Sequence, residues 1–324
     1  MLIPDTQQMW AARRLISRHL PPSPLVHSQP LSALCEGKVF FKVESLQPTG
    51  SFKIRGALNR LSAPGAPRAV VTSSSGNHGG ALAMIGGRLG IEVTVVVPRP
   101  TPEAKKARAR SLGARVIVVG DVYDEAEIRA REMAQARGVE YISGFEDALV
   151  VAGASTIAHE ILEWESPPGT LLVPVGGGGL ITGITAALEN LSPGTAVVGV
   201  QPEASAPMAL SLAAGHMVEA THTPTLSEGT AGGISAGLFE YLRHRVAEVI
   251  TVREDEIARA IRHLALRERV IAEGAGALPT AALIARGSRM PWRFPIVALV
   301  SGGNIDPATL SRVIAGTDST GSTP

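Results

Sequence analysis

The chain carries five lysines, Lys38, Lys42, Lys53, Lys105 and Lys106, and Lys53 stands in a glycine- and hydroxyl-bearing segment, Thr49-Gly50-Ser51-Phe52-Lys53-Ile54-Arg55-Gly56. A lysine amine condenses with aldehydes, and its pKa falls readily on desolvation, which makes it a nucleophile or a base. Three more segments have side chains or backbone suited to binding. Ser73-Ser74-Ser75-Gly76-Asn77-His78-Gly79-Gly80 offers hydroxyls, an amide and an imidazole. Gly176-Gly177-Gly178-Gly179 leaves backbone N–H groups free to converge on a phosphate, helped by the dipole of a following helix. Ser301-Gly302-Gly303-Asn304 closes the set. Taken singly, each also fits an ordinary role: a turn with an exposed lysine, an N-cap cluster, a flexible loop.

All four segments follow strand-like runs, where open parallel sheets place their ligand sites. The pattern predicts an amphipathic helix over residues 6–19 and a β-rich run over 38–44. Strands at 69–73, 91–97, 114–119 and 141–142 then alternate with helices at 77–89, 102–112 and 123–137. In the second half, strands at 170–175, 196–200, 249–252 and 296–300 go with helices at 180–190 and 254–267. Alternation at this spacing indicates parallel sheet built from βαβ units, an α/β fold. The basic clusters at 108–110 and 243–245 read as solvated helix faces, and the small, polar last residues as a frayed tail.

In order and spacing, the four segments resemble the fold-type-II pyridoxal-phosphate enzymes, in particular the threonine/serine dehydratase and serine racemase branch, over residues 24–306. The resemblance implies a tryptophan synthase β-like α/β fold, with two open, twisted, mostly parallel sheets flanked by helices. It implies a large cofactor-binding domain from residues 1–66 and 144–324, and a smaller inserted α/β domain, 67–143, that closes on substrate. It assigns pyridoxal 5'-phosphate as cofactor, held as a Schiff base on Lys53, which later acts as base at the substrate α-carbon. Phe52 would pack on one face of the pyridine ring, and Asn77 would hydrogen-bond the 3-hydroxyl oxygen. Gly176, Gly177, Gly178 and Gly179 would bind the phosphate, and Ser301 would face the ring nitrogen. Ser74, Ser75, Gly76 and His78 would cradle the substrate carboxylate. A hydroxyl at Ser301 cannot keep the ring protonated as a carboxylate would, which favours prompt β-elimination over transamination. The implied reaction converts a β-hydroxy amino acid such as L-threonine or L-serine to a 2-oxo acid and ammonia. Ser75, on the face opposite the lysine, permits racemisation as a second acid/base, so a racemase or bifunctional enzyme is the alternative. A non-catalytic small-molecule-binding protein is a remoter one.

Several positions depart from the family pattern. Gln201 and Pro207 stand where relatives place acidic residues of a divalent cation site, and hard cations want carboxylate oxygens, so no metal is expected. Ser143-Gly144-Phe145-Glu146-Asp147 and Gly153-Ala154-Ser155-Thr156 differ from the relatives near the substrate side, leaving the particular amino acid open. Glu273 matches an acidic position near the cofactor, and equally fits a surface charge at a helix start. A nicotinamide-binding reading fails, because Ile181 and Thr182 occupy the third-glycine positions of G-x-G-x-x-G and Gln201 replaces the ribose-binding acid. A net charge of +1 gives no basis for nucleic-acid or anionic-membrane partners, and the single cysteine, Cys35, excludes an intrachain disulfide. The opening lacks a signal-peptide layout and no apolar run reaches spanning length, so a cytoplasmic protein is expected, and kinship implies a homodimer. The short stretch after the fourth segment gives no expectation of a C-terminal regulatory domain.

Overall fold

The computed structural model describes residues 2–74, 76–164, 166–219 and 223–316. Ser75 lies outside the described residues. The chain opens with α1 (Thr6–His19), β1 (Leu25–His27), α2 (Gln29–Cys35) and β2 (Val39–Val43), and after the Lys53 segment comes α3 (Lys53–Leu61). Then follow β3 (Ala69–Ser73), α4 (Asn77–Leu89), β4 (Glu92–Val97), α5 (Glu103–Ser111), β5 (Arg115–Val118), α6 (Tyr123–Arg137) and β6 (Glu140–Tyr141). The long α7 (Ala148–Leu162) leads to β7 (Thr170–Pro174), α8 (Gly179–Leu191), β8 (Ala196–Pro202), α9 (Pro207–Ala214) and α10 (Ala236–Leu242). The chain ends with β9 (Glu248–Val252), α11 (Glu254–His263), α12 (Gly274–Arg286), β10 (Ile296–Val300) and α13 (Pro307–Ala315).

Two sheets result. The larger runs β1-β2-β10-β7-β8-β9, with β1 antiparallel to β2 and all other pairs parallel. The smaller, β5-β4-β3-β6, is wholly parallel. Strands β7 and β10 are buried at every residue, as parallel strands with both faces covered must be. Leu171 and Val173 of β7 pack on the α7, α8 and α10 side, whereas Leu172 faces the α11 and α12 side. The smaller sheet sends Val70, Val93 and Val95 towards α3 and α4, and Val71 and Val96 towards α6.

Local sequence accounts for the element starts. Asp5 accepts Gln8 N–H at 2.7 Å and Gln8 Oε1 accepts Asp5 N–H at 3.0 Å, a capping box that begins α1 at Thr6. Asp147 accepts the N–H groups of Leu149 and Val150 and so starts α7. The strands and helices expected from the alternation are present, with ends shifted by one or two residues, and the helix from Glu254 changes to a π-helical turn at Leu264–Glu268. One expectation needs correction, and α7 and α12 are among the elements that the alternation does not predict. No element was expected over α7, because this helix is buried all round and carries no amphipathic stripe. The helix α12 was likewise missed. Arg108 is more than a solvated face: its guanidinium donates to the Thr49 carbonyl at 2.9 Å, joining α5 to the Lys53 segment.

Candidate active site

In a parallel sheet all carboxyl ends lie at one edge, and β2, β10 and β7 are adjacent. They deliver, in that spatial order, the Lys53 segment, Ser301-Gly302-Gly303-Asn304 and the four glycines. The carboxyl end of β3 in the other sheet delivers the described part of the serine loop. The connections between these segments are direct. Phe52 N–H donates to the Ser301 carbonyl at 3.0 Å. Ser51 pairs with Gly302 in an isolated antiparallel bridge. Asn304 Nδ2 donates to the Thr49 carbonyl at 2.9 Å and to Asn77 Oδ1 at 2.6 Å.

Lys53 begins α3, and its Nζ donates to the Gly144 carbonyl at 2.9 Å and lies 5.0 Å from the centre of the Phe52 ring. Burial lowers its pKa to about 8, with the charge of Glu273 opposing part of that shift. A small cavity beside the amine is lined by Phe52, Gly144, Val151, Ala154, Gly179 and Leu180. His78 is buried across Gly144 from Lys53. A Cβ on Gly144 would stand 3.2 Å from His78 Cγ and 3.3 Å from Lys53 Nζ. Burial and then the Lys53 charge lower the His78 pKa to about 3, so this ring is neutral at physiological pH. Its Nε2 lies 3.3 Å from the Ile142 carbonyl, and its buried Nδ1 has no partner among the described residues.

Asn77 is the first residue of α4, and its amide is held at both ends. Oδ1 accepts from Asn304, and Nδ2 donates to Glu273 Oε1 at 2.6 Å. Glu273, the N-cap of α12, is therefore a withdrawn acid at the site rather than a surface charge, and burial raises its pKa. Ser74 is partly exposed, and its Oγ accepts Gly76 N–H at 3.4 Å. Ser301 is buried next to these groups.

The glycine loop has its own steric logic. A Cβ on Gly177 would stand 2.6 Å from the Phe145 ring, and one on Gly179 2.8 Å from Phe145 Cα. Gly178 takes φ 94°, a backbone region open to glycine at little cost, and is the N-cap of α8. The loop thus turns sharply into a helix whose first N–H groups have no intrahelical acceptor. Thr182, in the first turns of α8, also has a buried Oγ1 without a partner among the described residues. These features suit a phosphorylated aldehyde: an anion site at a helix start, an amine of lowered pKa, and oriented polar groups between them.

Gly144, Phe145 and Asn304 were given no role from the sequence. The Gly144 contribution is a main-chain carbonyl, which leaves no residue-type signal. Phe145 was visible only as an aromatic residue in a polar stretch.

Residues 16–302 match the family model described as pyridoxal-phosphate dependent enzyme. The chain is 39 % identical over 308 residues to an L-threonine ammonia-lyase of Thermotoga maritima, an alignment covering 94 % of this chain and 76 % of that one. Among solved structures, a threonine deaminase of T.th. superposes with a TM-score of 0.87 at 38 % identity, covering 94 % of this chain and 99 % of that one. Maize serine racemase superposes with a TM-score of 0.89 at 28 % identity, covering 97 % and 98 %. With the family's motifs gathered at one sheet edge and its model matched over most of the length, this chain belongs to the pyridoxal-phosphate-dependent enzymes.

Proposed function

We propose that this protein is a dehydratase (ammonia-lyase) that uses pyridoxal 5'-phosphate to eliminate water from a small β-hydroxy amino acid such as L-threonine or L-serine, yielding a 2-oxo acid and ammonia. The observation that carries the reading is Lys53, a half-buried lysine whose amine has its pKa lowered to about 8 by desolvation, set where the segments that follow β2, β10, β7 and β3 meet. The identity to a protein named L-threonine ammonia-lyase supports the reaction class.

When bound, the cofactor supplies the electron sink for loss of the α-hydrogen and of the β-hydroxyl. Each remaining task belongs to a residue of the chain. Lys53 would hold the cofactor through its amine and, once released, is the base that takes the α-proton on Nζ, which balances the proton the departing β-hydroxyl takes up to leave as water. Gly176, Gly177, Gly178 and Gly179 hold the phosphate through main-chain N–H groups at the start of α8. Asn77, oriented by Asn304 and Glu273, reaches the ring hydroxyl, Ser301 faces the ring nitrogen, and Phe52 covers one ring face. Ser74, Ser75, Gly76 and His78 bind the substrate carboxylate, with His78 contributing as a neutral ring.

In this reading residues 67–143 form a smaller domain against the body from 1–66 and 144–324, the protein works in the cytoplasm, and it assembles as a homodimer. Among the described residues no helix is long and apolar enough to cross a membrane. The likeness to a serine racemase favours racemisation as the second reading, with Ser75 as the opposing acid/base.

Purified protein made with ample cofactor should be yellow and should form 2-oxo acid and ammonia in step with loss of L-threonine or L-serine. Lys53→Ala should abolish both the visible band and the turnover. Accumulation of the D-enantiomer without 2-oxo acid would replace the lyase reading with the racemase one, and a colourless protein would refute both.

A further inference from the structure

Four charged side chains that the proposed chemistry does not use lie together in the interior. Arg55 is fully buried in the first turn of α3, two residues past Lys53. Its Nε and Nη2 donate to the two oxygens of Glu44, both at 2.8 Å. Nη1 and Nη2 donate to the two oxygens of Glu160, at 2.6 and 2.8 Å. The remaining N–H, on Nη1, goes to Thr156 Oγ1 at 3.1 Å. All five donors of the planar fork are thus engaged. Lys42 completes the network, donating to Glu160 Oε2 at 2.6 Å and to the Ser23 carbonyl at 2.7 Å, so two cations balance two carboxylates.

Apolar residues of similar volume commonly serve stability as well as a buried ion network does, and what the network adds is fixed geometry. Here the geometry fixed is that of α3 on α7. Thr156 and Glu160 lie one turn apart on α7. The two helices meet at backbone distance: a Cβ on Gly153 would stand 2.5 Å from the Arg55 carbonyl oxygen, and one on Gly56 2.7 Å from Val150 Cγ1. Helix α7 meets α8 as closely, since a Cβ on Gly183 would stand 2.5 Å from the Val151 carbonyl oxygen. Helix α3 begins with Lys53 and α8 begins at the last glycine of the loop. Helix α7 is therefore the spacer between the amine and the glycine loop.

We propose that Arg55 and Glu160 are positioning residues: their paired fork sets the rotation and shift of α3 on α7, and so the place of Lys53 Nζ relative to the glycine loop that receives the cofactor phosphate. The proposal rests on the reading of Lys53 as the cofactor-bearing residue. Lysine at 55 would keep the charge but not the fork, and one ammonium cannot serve two carboxylates bidentately.

The test titrates the apo forms of wild type, Glu160→Gln, Thr156→Val and Arg55→Lys with pyridoxal phosphate, following the visible band, alongside far-UV circular dichroism and melting curves. The folded variants should bind the cofactor more weakly, by about tenfold for Glu160→Gln, and show a reduced band at saturation. Arg55→Lys should not recover wild-type binding. Variants that melt lower yet titrate with wild-type affinity and a full band would overturn the proposal, leaving the network a purely structural one. If Glu160→Gln or Arg55→Lys fails to fold, Thr156→Val, which removes one of the fork's five hydrogen bonds, the hydroxyl's own bond to the Gly153 carbonyl and no charge, decides between the same two results. Loss of the band in wild type would refute Lys53 as the cofactor residue; a normal wild-type band with unaltered variants would refute only the positioning role.

Discussion

Lys53 works at a pH set by its surroundings. With burial lowering its pKa to about 8, the free amine is the minor form below that pH and the major form above it. The reaction of apoprotein with pyridoxal phosphate needs the free amine. Its rate constant should rise about tenfold per pH unit below 8 and level off above it, in stopped-flow absorbance. A rate constant that keeps rising about tenfold per pH unit up to about pH 10 would show that the amine is not desolvated as described. At Gly178, with φ 94°, an alanine would add backbone strain to a crowded turn. Gly178→Ala should weaken cofactor binding by about tenfold or more, measured by the same titration. At this scale the sequence was informative where side chains carry the chemistry. Lys53, Asn77 and Ser301 stand out by type and by motif order. The Gly144 carbonyl does not, because any residue could supply it, and the engagement of Asn77 by Asn304 and Glu273 depends on contacts made across more than 190 positions of chain.

At the scale of elements, the close approach of α7 to its neighbours is set by glycine. Gly183→Ala would place a Cβ 2.5 Å from a main-chain oxygen, and should lower stability by about 1–3 kcal/mol in urea unfolding. An unchanged midpoint would mean that α8 can move away from α7 freely. Gln201 is another element-level feature. Its amide is buried at the end of β8, donating to the Val175 carbonyl at 3.3 Å and accepting Ala209 N–H at 3.0 Å, while Pro207 starts α9. Both residues that argue against a cation site thus have structural duties here. A chelator should leave turnover within about twofold of the untreated enzyme, and a marked loss restored by magnesium or calcium would contradict this. The parallel strands and α1 were legible from their periodicity and capping residues. Helix α7 was not, since a helix surrounded by protein on all sides shows no polar face and its one glycine, Gly153, argues locally against helix.

For the whole molecule, the order of sheets explains how residues separated by most of the chain form one site. Strands β2, β10 and β7 are neighbours although β10 is last in sequence, so the ends of the chain meet and the final motif lies beside the first. The alternation of strands and helices predicts parallel sheet, but strand order is decided by tertiary pairing, and nothing in the alternation places β10 between β2 and β7. Assembly as a homodimer predicts a solution mass about twice 33.7 kDa by light scattering, and a mass of one chain at micromolar concentration would refute it. The most direct test of the account is a stoichiometric product assay on the purified holoenzyme with L-threonine and L-serine. The prediction is one 2-oxo acid and one ammonia per amino acid consumed, abolished in Lys53→Ala; conversion to the D-amino acid without 2-oxo acid, or turnover that survives loss of Lys53, would contradict it.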